Sequence, residues 1–112
     1  MPFTTATVQR IERGARQFQG VYSEMWTVRV TADPSSVAAG AEDSQTFTVP
    51  GLALGDMVIG WAAGVNITAD ADIEVYVSAA NTLTVRISNL NGSTALDLGS
   101  STWRFLVGRP NW

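Results

Sequence analysis

The sequence predicts an all-β fold: an antiparallel two-sheet sandwich, jelly-roll or Ig-like, with an extended N-terminal arm. Three observations predict it. From residue 25 onward, apolar and polar residues alternate with a period of two. β-Branched and aromatic residues fill the alternating runs, and Gly, Pro, Asn and Asp separate them. No pattern of period 3.6 is sustained in that region. The chain divides into an arm, residues 1–24, and a sandwich domain, residues 25–112.

The arm carries Phe3, Val8, Ile11, Phe18, Val21 and Tyr22 at irregular spacing. Such a segment either adds a strand to its own domain or packs on another chain. One brief candidate helix covers residues 11–18, where Ile11, Ala15 and Phe18 share a face and Gly14 weakens the turn.

Six strands follow in order. Trp26, Val28 and Val30 share one face, with Thr27 and Arg29 on the other. Phe47 and Val49 alternate with Thr46 and Thr48. The run Met57, Ile59, Trp61 interleaves with Val58, Gly60 and Ala62, so this strand is apolar on both faces. Ile73, Val75 and Val77 face away from Asp72, Glu74 and Tyr76. Leu83, Val85 and Ile87 face away from Thr82, Thr84, Arg86 and Ser88. Trp103, Phe105 and Val107 face away from Thr102 and Arg104. Residues 73–88 read as a hairpin whose loop is Ser78-Ala79-Ala80-Asn81, with Asn81 at a position that tolerates positive φ. Two short strands are expected at residues 35–39 and 96–98.

Composition narrows the chemistry. The 112 residues contain no Cys, no His and no Lys, and all 7 basic residues are Arg. A thiolate nucleophile, a disulfide, a His–Cys zinc site, a Schiff-base amine and an imidazole base are therefore excluded. No phosphate-cradling glycine loop and no nucleophile elbow is present. The reading is a non-enzyme with no catalytic residue, no cofactor and no metal. Asp70, Asp72 and Glu74 fall at i, i+2 and i+4, a spacing that puts three acids on one strand face. A solvated face is the expectation, with a Ca²⁺ site as its alternative. The arm has a net charge of +1 and the remainder −4. An acidic body repels nucleic acid and anionic lipid, so neither is expected as a partner. No apolar stretch reaches the ~20 residues that a spanning helix needs.

Trp26, Trp61 and Trp103 fall on apolar strand faces and read as core. Trp112 ends the chain after the last strand and reads as frayed or as an anchor in a neighbour. Phe3, Phe18 and Tyr22, with Arg10, Arg13 and Arg16, are the arm's candidates for contacts between subunits, and Arg109 joins them near the C-terminus.

Residues 35–110 carry a recurrent arrangement. It runs Val37-Ala38-Ala39-Gly40, then Phe47-Thr48-Val49-Pro50-Gly51-Leu52-Ala53-Leu54-Gly55-Asp56. It continues with Val77-Ser78-Ala79-Ala80-Asn81-Thr82-Leu83-Thr84-Val85, Asn89 and a closing Arg109-Pro110. This arrangement resembles small β-rich virion proteins of tailed bacteriophages, of the capsid decoration (cement) or head-fibre type. The resemblance implies a protein made in the host cytoplasm and placed on the outer surface of the capsid. There it would bind the major capsid protein as a homotrimer and bridge capsid subunits. Its alternatives are a tail, baseplate or head-fibre role, or a carbohydrate-binding host-attachment module.

Overall fold

The structure, a computed structural model, describes the backbone of residues 3–10 and the whole of residues 21–112. The alternating runs form strands, as period-two burial requires. In chain order they are β1 (Phe3–Arg10), β2 (Tyr22–Ala32), β3 (Glu42–Thr48), β4 (Met57–Ala63), β5 (Ala71–Ala79), β6 (Thr82–Asn89) and β7 (Ser101–Pro110). They build two antiparallel sheets, one ordered β1-β2-β7-β4 and the other β3-β6-β5. The described residues contain no helix, and the candidate at residues 11–18 lies outside them.

Strand β1 pairs with β2 from Phe3↔Ala32 to Arg10↔Trp26. Residues 3–10 thus add a strand to their own domain, the first of the two arm alternatives. The expected short strands at 35–39 and 96–98 reduce to a single bridge, Val37↔Leu96. Residues 91–95 between β6 and this bridge follow a path set by Asn91, whose Oδ1 accepts from the N–H groups of Ser93 and Thr94. A side chain that collects local N–H groups in this way competes with strand pairing.

The inward faces meet as one core. Trp103, Leu83, Ile87, Val28, Val30, Val49, Val85 and Val107 are fully buried. Phe47 tilts against Phe105 across the sandwich with ring centroids 5.6 Å apart. The β5–β6 hairpin closes through Ala80-Asn81, and Asn81 has φ 60. Its N–H donates to Leu52 O at 2.8 Å and its Oδ1 accepts from Gly51 N at 2.8 Å. One Asn therefore pins the loop after β3 to the hairpin of the same sheet.

Gly108 is required by close approach. A Cβ there would stand 2.7 Å from Tyr22 Cδ1 and 2.9 Å from Ile59 Cδ1. Gly108→Ala is expected to lower stability by about 1–3 kcal/mol through overpacking. An unchanged urea midpoint would count against this close packing.

Candidate functional site

The acids singled out from the sequence do not gather. Asp70 lies in the turn before β5 and accepts from Asn91 Nδ2 at 3.1 Å. Asp72 and Glu74 are exposed on β5, and Glu74 pairs with Arg86 at 3.1 Å. Among the described residues, no three carboxylates come close enough to hold a metal ion.

Arg109 is engaged inside its own chain. Its Nε and Nη2 donate to the two Asp56 carboxylate oxygens at 2.9 Å each. Its Nη1 reaches Glu24 at 2.8 Å, and Nη2 also donates to Gly51 O at 2.8 Å. The guanidinium stacks over the Trp26 ring, 5.3 Å from the centroid. The hydrogen bonds to Asp56 hold its pKa above the ordinary arginine value. The side chain that the sequence suggested for a subunit contact thus ties the start of β2, the loop before β4 and the end of β7 together.

Trp112 is 76% exposed and leans on Tyr22, with ring centroids 6.0 Å apart. Of the other candidates, Phe3 and Arg10 lie in β1, whose side chains are outside the described residues, as are Arg13, Arg16 and Phe18 altogether.

A different cluster stands out on the outer face of the four-stranded sheet. There Arg29 of β2 lies directly opposite Arg104 of β7, and Ala62 of β4 lies opposite Arg104 on its other side. Gly60 pairs with Leu106, one outward position along. These residues and Thr27 line a groove of about 550 Å³. Its floor is low because Gly60 and Ala62 present no side chain larger than a methyl. Two like charges directly opposite each other on paired strands disfavour the fold. Among the described residues, Arg29 and Arg104 have no ion pair or hydrogen bond to offset this, whereas Arg86 and Arg109 are both paired. Among the described residues the groove is therefore a site of unpaired positive charge on an acidic protein. Planar guanidinium forks match a carboxylate in two-point contacts.

The groove borders an open edge. Strand β4 ends the sheet order, and all seven of its residues are uncharged. Met57 is 42% exposed, Ile59 41% and Trp61 37%. A bulge at Ile59 interrupts its register with β7. Trp61 points inward and stacks on Trp103 at 5.6 Å, yet the rim leaves it half-covered. The doubly apolar pattern of this strand marks an edge that no other strand among the described residues covers. Edge strands of soluble proteins ordinarily carry charge, Pro, a cover or a bulge that deters pairing, and of these β4 has only the bulge at Ile59.

No family model, curated protein or solved structure matches the chain.

Sequence reasoning missed Arg29 and Arg104 as a pair. Each was visible as the outward residue of its strand. Their juxtaposition depends on the β2–β7 pairing, which joins opposite ends of the chain.

Proposed function

We propose that this chain is a structural subunit that self-associates and coats a larger assembly. The resemblance in residues 35–110 makes that assembly a phage head, with the major capsid protein as the surface it binds. The observation that carries the reading is the open edge β4, uncharged along its length and apolar where it is exposed. Such an edge is a ready template for a partner strand.

The strand order is compatible with this reading. β2 pairs with β7 in one sheet and β3 with β6 in the other. β4 pairs with β7 and β5 with β6, so that β4 and β5 end different sheets. Pairing of strands distant in sequence within two antiparallel sheets is common to jelly-roll and Ig-like sandwiches. Jelly rolls recur in viral capsid and lectin domains. In this role the protein acts mechanically: it bridges neighbouring subunits and buries area between them.

Sedimentation equilibrium tests the self-association. A mass above 12.0 kDa is expected for the full chain at micromolar concentration. Ile59→Glu places a charge on the open edge, costs the fold about 1 kcal/mol and returns the chain to a monomer. A wild-type chain that stays monomeric overturns the reading. Electron cryo-microscopy of particles that carry the chain tests the docking. Density on the outer head surface is expected, and density confined to tail or baseplate overturns it.

A further inference from the structure

Strands β4 and β5 are consecutive in the chain and end their respective sheets on the same rim of the sandwich. Among the described residues that rim has two open edges of opposite character. On the outer face beside β4, one strand in, stand Arg104 and then Arg29. On the outer face of β5 stand Asp72 and Glu74. Glu74 shares the exposed Arg86, while Asp72 has no hydrogen-bond or ion-pair partner among the described residues.

We propose that a second copy of this chain occupies the β4 edge with its own β5, so that Arg104 grips the second copy's acidic row, with Arg29 adding positive charge behind it. The proposal rests on the reading of the chain as a self-associating subunit and names the surface used. A half-turn about an axis along the rim brings β5 of one copy beside β4 of the other, and the reverse at the same time. Each four-stranded sheet then runs on into the three-stranded sheet of the other copy. The contact is two-fold and closed, so it ends at a dimer.

Reach and charge both fit. Adjacent strands lie about 4.8 Å apart, so β7 and the incoming β5 are separated by about 10 Å across β4. Opposite Arg104 the outer face of β4 presents only Ala62, with Gly60 beside it. An arginine extended from β7 and a carboxylate extended from the incoming strand meet over this low floor. The other pairings on this rim are worse. Joining β5 to β5 sets two acidic rows side by side, and like charges across a strand pair repel. Joining β4 to β4 leaves the four arginines of the two copies uncompensated. A nucleic acid is disfavoured because two arginines on a chain of net charge −3 make no phosphate-tracking surface.

Charge reversal on the full chain decides the matter. Arg104→Glu and Asp72→Arg, made singly, each weaken dimerisation about tenfold or more, as close charge pairs at interfaces do. The double variant recovers most of the loss. Arg104→Glu relieves the repulsion from Arg29 within the monomer, so its thermal midpoint holds or rises and misfolding does not account for the effect. A dimer of twice 12.0 kDa with this pattern supports the pairing. A trimer, or a dimer indifferent to both reversals, overturns the pairing and leaves self-association standing. A monomer at every concentration overturns self-association itself.

Discussion

Replacing Arg109 by methionine lowers the unfolding free energy by about 3 kcal/mol, the lower end of the range for breaking a buried pair. The reason lies with the partner left behind. The Asp56 side chain is 2% exposed, whereas that of Arg109 is 33% exposed. Methionine keeps the aliphatic packing on Trp26 but leaves a buried carboxylate without its cation. Asp56 retains one hydrogen bond, from Ala53 N at 2.8 Å, which holds the carboxylate in place without neutralising it. Glu24 loses its cation as well, at less cost because it is more exposed.

The effect is large because three segments lose their tie together: the start of β2, the loop before β4 and the end of β7. A domain of this size shifts its midpoint by roughly 4 °C per kcal/mol, so a drop of about 12 °C is expected by calorimetry. Arg109→Lys keeps the charge but not the fork and recovers only part of the loss. A double-mutant cycle between Arg109 and Asp56 should give a coupling of at least about 1 kcal/mol. A coupling near zero would assign the loss to packing on Trp26 instead.

The same residue shows where the sequence is legible and where it stops. The period-two runs announced six strands because alternation is a local consequence of burying one face of a pleated strand. Asn81 was legible because positive φ restricts which residues fit. Arg109 was not, because its partner Asp56 lies 53 residues away and only the fold joins them. A late Arg followed by Pro looks free in one dimension. β1 is not legible in this way because its Thr-rich sequence, FTTATVQR, has no long apolar row. β4 misled in the other direction. Strands apolar on both faces are usually central, whereas here the pattern belongs to a strand that ends its sheet. The Arg29–Arg104 pair needed the same long-range register that no local pattern supplies.

Asn89 carries the second large effect. It ends β6, is 2% exposed, and uses both ends of its amide. Its Nδ2 donates to Val37 O at 3.1 Å, Ala38 O at 3.3 Å and Thr94 O at 2.8 Å. Its Oδ1 accepts from Asn91 N at 3.0 Å. One side chain thus holds the crossing after β2 against the connection after β6, beside the Val37↔Leu96 bridge. Asn89→Leu fits the volume but strands an N–H and the carbonyls it served, at a cost of about 2–4 kcal/mol. Asn89→Asp separates shape from chemistry. It preserves size and the acceptor for Asn91, but aims an ionised oxygen at the carbonyls where a donor stood. The deficit is therefore greatest at neutral pH. Protonation restores the donor, and the lone pairs of the surrounding carbonyls raise the pKa of the new carboxyl above its unfolded value. A raised carboxyl pKa destabilises the fold above that pKa and ceases to do so as pH falls below the unfolded value. The gap between Asn89→Asp and wild type should accordingly narrow on acidification, while that of Asn89→Leu stays constant. Urea denaturation of both variants at neutral and acid pH reads the difference directly, and parallel pH profiles would refute the donor role of Asn89.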